Sequence, residues 1–371
     1  MSIEITHLGS RQVPTWTVDV LGRFLIAPDA GERLSPLGET DAERGPGAIV
    51  LDLASSKEDD AVTWLPSLLA ALPVLSCVTI AIEAGGPRSG GSPAREALAQ
   101  ACDVRLGSEG DVAEVLAGFS ETPIAALAYV QLLRGAPRAS IYDALVAESF
   151  VYSTLQAGAE FHRWLESRRK RRRSPSGDDL PVCRMDRVQD RLEIYLTRPS
   201  KHNAFSRAMR DGLTEALQLA LIDPSIEEVL LTGEGDSFCS GGDLDEFGSF
   251  PDPAEAHAIR TTRSPALLLS RLADRVRVEV HGACIGAGAE LPAFTTRVVA
   301  EEDAFFQLPE VGFGLVPGAG GTASLPTRIG RQRTAWLGLS GARIDARTAL
   351  DWGLVDEVRL GQHVEPETRD R

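Results

Sequence analysis

The sequence predicts an α/β protein built in layers, and three observations predict it. Short apolar runs rich in β-branched residues alternate with longer amphipathic stretches, the grammar of strands covered by helices. The alternation occurs twice, once on each side of a charged stretch containing Pro, Ser and Gly, RRKRRRSPSGDD at 168–179. Several of the strand-like runs are bounded by glycine or proline, residues that turn the chain. Two α/β halves point to an internal duplication.

In the first half, GAIVLDLA (47–54) and VTIAIEA (78–84) read as buried strands, with WLPSLLAAL (64–72) as the helix between them. A strand–helix–strand order of this kind implies parallel pairing. TPIAALAYVQLLRG (122–135) and IYDALVAESFVYSTLQ (141–156) read as helices. Gly158 interrupts the second, and EFHRWLESRRKRR (160–172) continues as a third. After the charged stretch, RLEIYLTRP (191–199) is a strand. SRAMRDGLTEALQLALID (206–223) is an amphipathic helix with Met209, Leu213, Ala216, Leu217 and Ala220 on one face. EEVLLTG (227–233), VRVEVHG (276–282) and TRVVAEE (296–302) are further strands, and RQRTAWLGLSG (331–341) is a helix closed by Gly341.

Composition excludes several functions. The formal net charge of −15 argues against general nucleic-acid affinity. The five cysteines include no C-x-x-C pair, which argues against a zinc site or disulfide framework and suits a reducing cytoplasm. The six histidines show no ligand spacing, so no metal is expected. No signal-peptide pattern opens the chain and no apolar run reaches about 18 residues, so no membrane span is expected.

Three segments of the second half follow strands and turn on glycine: GEGDSFCSGGDLDEF (233–247), HGACIGAGAELPAF (281–294) and FQLPEVGFGLVPGAGGTASLPTRIG (306–330). Ligands collect where strands of layered α/β folds end and helices begin. Small residues at a helix start leave backbone N–H groups open to an anionic oxygen. Two such turns facing one another make an oxyanion hole. Cys239 and Cys284 lie in these turns and read as small packing residues, since no base is placed to activate them.

From about Arg184 to Val358 the sequence resembles the crotonase (enoyl-CoA hydratase/isomerase) superfamily. The three turns carry the resemblance, in order, together with RPSKHNAFS (198–206). The resemblance implies a crotonase-like (ClpP/crotonase) layered β-β-α superhelix acting on acyl-CoA. It implies oxyanion N–H groups at Gly242 and at Ala287, where the family usually has glycine, and two acid–base glutamates, Glu290 and Glu310. Arg198, His202, Ala204, Ser240, Gly241, Asp243, Leu244, Gly286, Pro309 and Gly318 fall on positions that border CoA or the thioester. It further implies no cofactor beyond the CoA of the substrate, and a homo-oligomer, trimer or hexamer. The glycines beside Glu310 are expected to let backbone and thioester approach.

The helical tail of the family is not found after the third turn. FVYSTLQAGAEFHRWLESRRKRR (150–172) resembles that tail, and QACDVRLGSEGD (100–111) resembles a strand segment of the family. The expected division is a degenerate crotonase-like module at 1–120, a tail-like helical segment at 121–173, a linker at 174–182 and a catalytic core at 183–371. The first module lacks the P-E and P-G-x-G-G segments and so carries no site of its own. The basic run 168–173 is either a solvated helix end or a contact for CoA phosphates, through Arg168, Arg169 and Lys170.

Retention of both glutamates favours an enoyl-CoA hydratase, since hydration needs a base for water and an acid for Cα. The alternatives are an isomerase, hydrolase, decarboxylase or cofactor-free arylacetyl-CoA dioxygenase on the same fold, and a non-catalytic CoA-binding partner subunit.

Overall fold

The computed structural model describes residues 5–8, 11–38, 44–83, 92–107, 109–136, 139–169, 181–249 and 252–360. Most of the basic run and of the expected linker therefore lies outside the described residues. The chain folds as two compact units, neither continuous in sequence. One comprises Met1–Arg172, Gly248–Thr261 and Leu308–Ala342; the other comprises Arg173–Phe247, Thr262–Gln307 and Arg343–Arg371. The units thus cut across the sequence-order division: segments 248–261 and 308–342, expected in the core at 183–371, belong with the N-terminal half.

The first unit holds a five-stranded sheet in the order β1 (Ile5–Leu8), β2 (Arg11–Trp16), β3 (Ala48–Asp52), β4 (Val78–Ile82), β5 (Val104–Leu106). β1 pairs antiparallel with β2 and the remaining neighbours are parallel. β4 is buried along its whole length, as parallel strands covered on both faces are. Helices Glu58–Ala71 and Pro93–Ala101 connect the parallel strands, and Leu68 and Leu98 pack against Ile49, Leu51 and Ala81. The three helices expected after the sheet are Pro123–Gly135, Ile141–Gln156 and Ala159–Arg169.

Helices Gly321–Ile329 and Arg331–Ser340 complete this unit, and specific bonds explain why they belong to it. Asp103, 1% exposed at its side chain, forms ion pairs with Arg134 at 2.7 Å and Arg331 at 3.3 Å. Arg331 also donates to the carbonyls of Gln100 and Cys102, and Tyr129 Oη donates to the Thr334 carbonyl at 2.7 Å. A buried charge must be paired to be tolerated. The Arg331 helix meets that need only where it lies.

The second unit contains β6 (Cys183–Val188), β7 (Arg191–Leu196), β8 (Glu228–Gly233), β9 (Val276–Val280), β10 (Ala283–Ile285), β11 (Arg297–Glu301), β12 (Phe305–Gln307), β13 (Ile344–Asp345) and β14 (Glu357–Arg359). The larger sheet runs β14-β11-β9-β8-β7-β6 and the smaller β10-β12-β13. Helix Arg207–Ile222 buries the predicted face, Met209, Leu213, Ala216, Leu217 and Ala220, and Ser206 caps it by accepting from the Met209 N–H. The chain lays β9 in the large sheet, β10 in the small one, then helix Ala287–Glu290; β11 and β12 repeat the two-sheet step. This is the layered β-β-α winding expected from the sequence.

Candidate active site

The first two glycine turns lie side by side in the second unit. Cys239 and Cys284 form a parallel bridge. Cys239 N–H donates to the Ala283 carbonyl and Ile285 N–H to the Cys239 carbonyl, both at 3.0 Å. Approach is close enough to dictate glycine: a Cβ at Gly288 would stand 2.2 Å from the Cys239 carbonyl oxygen. Gly286 turns the chain with φ +50 and helix Ala287–Glu290 starts directly after it. Ala287 is the first helical residue, so its methyl group meets no backbone strain. Among the described residues, neither the Gly242 nor the Ala287 N–H has a hydrogen-bond acceptor. Two open N–H groups on adjoining turns are what a developing oxyanion requires.

Glu290 ends the short helix and is 2% exposed. Burial pushes the Cys239 thiol up to about 12 and the Cys284 thiol well above its ordinary value. Both therefore stay protonated and serve packing, as the sequence indicated.

The remaining expected contacts of this unit form one network. Arg198 and Asp243, 5% and 6% exposed, pair at 2.5 Å. Asn203, fully buried at φ +53, accepts from the Arg198 N–H and donates to the Glu234 and Ser237 carbonyls. His202 contacts Ser237 Oγ through Nδ1 at 3.3 Å, and its carbonyl accepts from the Ser240 N–H. Ala204 is buried and Leu244 half-buried, while Gly241 takes φ +87 and accepts from the Phe205 N–H. These residues were expected to border CoA. The Arg198 charge is matched within the protein by Asp243, and the cluster fixes the first turn. Asn203, which sequence reasoning passed over as a site residue, is its central staple. A pocket of about 520 Å³ beside Arg198 is lined by Asp211, Glu215 and Glu246, carboxylates that oppose an anionic ligand.

The third turn lies in the first unit. Pro309 is half-buried and Glu310 is 8% exposed. The Glu310 carbonyl accepts from the Phe313 and Leu315 N–H groups at 3.0 Å, and Glu310 Oε2 is buried with no hydrogen-bond partner. Burial, and then the charge of Glu148, push the Glu310 carboxyl above the usual carboxylate range. Glu148, on helix Ile141–Gln156, accepts from the Gly320 N–H at 2.7 Å, the Thr322 N–H at 2.8 Å and Thr322 Oγ1 at 2.7 Å. Burial raises Glu148 too, but these donors and nearby Arg260 oppose the rise. Three donors reach the Glu148 carboxyl and none reaches Glu310 Oε2, so hydrogen bonding favours the anion at Glu148 more than at Glu310.

The glycines of this turn lie close to other parts of the first unit. A Cβ at Gly318 would meet the Tyr152 ring at 2.5 Å, and one at Gly314 would meet Phe161 N at 2.6 Å. Glycine is needed there because the helices at 141–156 and 159–169 come close. Sequence reasoning also missed Glu148. Glu148 is buried with Ser149, Ser153 and Leu155, a mostly polar set that shows no apolar period in the sequence. Of the basic run, Arg168 is described: its guanidinium lies 5.3 Å from the Trp164 ring centroid.

The family model described as "Enoyl-CoA hydratase/isomerase" matches residues 189–371. The 2,3-dehydroadipyl-CoA hydratase of Escherichia coli is 36% identical over 182 residues, 48% of this chain and 69% of that protein. The chain belongs to the enoyl-CoA hydratase/isomerase family. The 1,2-epoxyphenylacetyl-CoA isomerase of Escherichia coli is 33% identical over 45% of this chain and 65% of its own length. The mevalonyl-coenzyme A hydratase sidH of Aspergillus fumigatus is 33% identical over 45% of this chain and 62% of its own. Among solved structures, an enoyl-CoA hydratase from Thermoplasma volcanium is 32% identical over 48% of this chain and 72% of that chain, with a TM-score of 0.45. Glu148 lies outside the part of the chain that the family model matches. Among the described residues no His, Cys, Asp and Glu cluster could hold a metal, and no single helix is long and apolar enough to cross a membrane.

Proposed function

We propose that this enoyl-CoA hydratase/isomerase family member is a hydratase that adds water to a 2-enoyl-CoA. The observation that carries the reading is the pair of open N–H groups, Gly242 and Ala287, on adjoining turns, with the buried carboxyl of Glu290 ending the second. The thioester oxygen accepts both N–H groups. Glu290 takes a proton from water as its oxygen bonds to Cβ, and the π electrons move to the thioester oxygen, where the N–H pair holds them. The enolate then collapses and Cα takes a proton. The proton at Cα comes from a general acid, the role the resemblance gives to Glu310, whose carboxyl burial pushes above the usual carboxylate range. Proton exchange with solvent resets both groups. The reaction needs no cofactor beyond the CoA of the substrate. A homotrimer or hexamer in the cytoplasm is part of the same reading, and light scattering of the purified protein tests the assembly.

Similarity to an isomerase at nearly the same identity keeps one rival specific. An isomerase moves a proton between carbons and adds no water, so product mass separates the two. Purified protein is incubated with 2-enoyl-, 3-enoyl- and arylacetyl-CoA thioesters and the products weighed. Gain of one water on the 2-enoyl substrates is expected. An unchanged mass with a shifted double bond, or uptake of oxygen, overturns hydration in favour of another reaction of the fold. Binding of CoA without turnover of any thioester overturns catalysis itself.

A further inference from the structure

β6 stands at one end of the larger sheet, and among the described residues its strand neighbour is β7, on one side. The Thr197 N–H donates to the Val182 carbonyl at 2.9 Å, and these two residues are opposite one another in the β6–β7 register, in which Cys183 pairs with Leu196. Antiparallel pairs alternate between those that exchange bonds and those that do not. Arg184, Asp186 and Val188 therefore bond to β7, while Cys183, Met185 and Arg187 turn their N–H and C=O groups to the open edge. Side chains alternate in the same rhythm. Those of Cys183 and Arg187 meet helix Arg207–Ile222 and its end: a Cβ at Gly212 would stand 2.8 Å from Cys183 Cβ, and Arg187 reaches Asp223 at 3.4 Å. Leu219 is i+7 from Gly212 and i−4 from Asp223, so it shares the side of the helix that meets β6, beside Met185. Met185, Leu219 and Ile222 are exposed. On the opposite face, the side chains of Arg184 and Asp186 are 44% and 45% exposed. An open strand edge is a template for another strand.

We propose that β6 is a self-association edge: it pairs antiparallel with β6 of a second copy across a two-fold axis at Met185. Charge selects the register. Hydrogen bonds form only where edge-facing residues of one copy meet edge-facing residues of the other, which allows an axis at Arg184, Met185 or Asp186 near the middle of the strand. An axis at Arg184 sets that arginine against itself. An axis at Asp186 sets that aspartate against itself. The axis at Met185 sets Arg184 opposite Asp186 of the second copy, and by symmetry does so twice. It also engages all three edge-facing residues, with Cys183 opposite Arg187 and Met185 opposite Met185. Opposite charges facing one another across strands stabilise a register, and like charges destabilise it. On the helix face, Met185 and Leu219 of both copies cover one another at the axis. Arg187 of the second copy arrives beside Cys183, at the pocket that Asp211 and Glu215 line with it. Such an interface is isologous and closes at two copies. The inference rests on the homo-oligomer of the proposed reading and narrows it: a trimer has no two-fold axis, whereas a hexamer of two trimers has one across each trimer–trimer contact. β6 itself precedes residues 189–371, the part that the family model matches.

The test is the mass of the full chain in solution, by sedimentation equilibrium over a wide range of protein concentration. Wild type is expected as a dimer or a hexamer. Arg184→Asp and Asp186→Arg each put like charges across the axis, and each should halve the mass. An equal mixture of the two variants faces opposite charges again in every mixed pair, so the mass should return to that of wild type. Damage confined to one chain does not predict that recovery, because each variant has lost the Arg184–Asp186 pair within its own strand. Met185→Pro removes an N–H that faces the open edge rather than β7, a change that an edge strand tolerates, and it too should halve the mass. A wild-type trimer overturns the proposal and leaves the homo-oligomer standing; a wild-type monomer overturns both. An unchanged mass in a folded charge variant overturns the proposal, as does a mixture that stays at half mass. If neither charge variant folds, Met185→Pro decides: half the mass supports the edge, and the full mass overturns it. None of these measurements reads turnover, so failure of the hydratase reading leaves them interpretable.

Discussion

Replacing Gly318 by alanine should cost stability rather than substrate affinity. The added methyl would stand 2.5 Å from Tyr152 Cε2 and 2.7 Å from Cδ2. Carbon atoms in contact sit about 3.5–4.0 Å apart, so the ring must retreat by about 1 Å. It has little freedom to do so, because the Arg260 guanidinium lies 4.7 Å from its centroid. Overpacking of this kind costs about 1–3 kcal/mol. In a folding unit of this size that lowers the thermal midpoint by about 2–4 °C per kcal/mol. The assay is a double-mutant cycle on urea unfolding, with Gly318→Ala, Tyr152→Ala and the pair. The pair should recover on the order of 1 kcal/mol or more relative to additivity, since removal of the ring makes room for the methyl. KM for an acyl-CoA should change little in the folded single variant. Normal stability with a large rise in KM would refute the reasoning and return Gly318 to the thioester.

Three further outcomes follow from the geometry. Glu310→Gln should lower kcat by roughly 10²-fold or more, the scale of a general acid, and should flatten the dependence of stability on pH. The Glu310 carboxyl is raised in the folded state, so its contribution is complete below the unfolded value and is lost as pH rises through the folded one; urea midpoints from about pH 5 to about pH 9 should fall in wild type and fall less in the variant. Ala287→Pro should remove one oxyanion donor and little else, because the first helical position tolerates proline, and kcat should drop by on the order of 10²-fold with the melting temperature nearly unchanged. Asp103→Ala should strand Arg134, whose side chain is 8% exposed, and cost about 3–5 kcal/mol on urea unfolding, without a direct effect on KM.

How much of this was legible in the sequence depended on distance along the chain. Helix Arg207–Ile222 was legible to the residue on its buried face, because an i, i+4 pattern is a local record of burial. The two turns at 239–242 and 286–290 were legible because their glycines answer backbone contacts made between neighbouring strands. The third turn was legible as a turn, but the protein neighbours of its glycines were not. Sequence displays that something comes close at Gly318, not that Tyr152 is what comes close. The grouping of 308–342 with the N-terminal half was not legible at all. It depends on Arg331 reaching Asp103, 228 positions away, and neither residue carries a mark of the other.

Glu290 and Glu310 show why sequence does not tell an acid from a base. Each is a glutamate at the edge of a glycine turn, and the residue type sets the same ordinary titration range for both. Environment separates such a pair, and the environment of Glu310 comes from outside its own turn. The turn Val311–Phe313 that follows it packs against helices Pro123–Gly135, Ala159–Arg169 and Arg331–Ser340. Glu148 and Glu160 make the complementary case. Both are buried glutamates capping a helix, on consecutive helices of the same tail-like segment, and a sequence pattern would treat them alike. What divides them is which other carboxyl shares the interior: the charge of Glu148 bears on Glu310. The raised carboxyl of Glu310 is therefore a property of the first unit, including its N-terminal helices. A truncated protein beginning after the linker should lose it even if the turns at 239–242 and 286–290 still fold, and would be expected to bind a CoA thioester more readily than it hydrates one. Measured binding with hydration intact in such a truncation would mean that Glu310 finds its proton without Glu148.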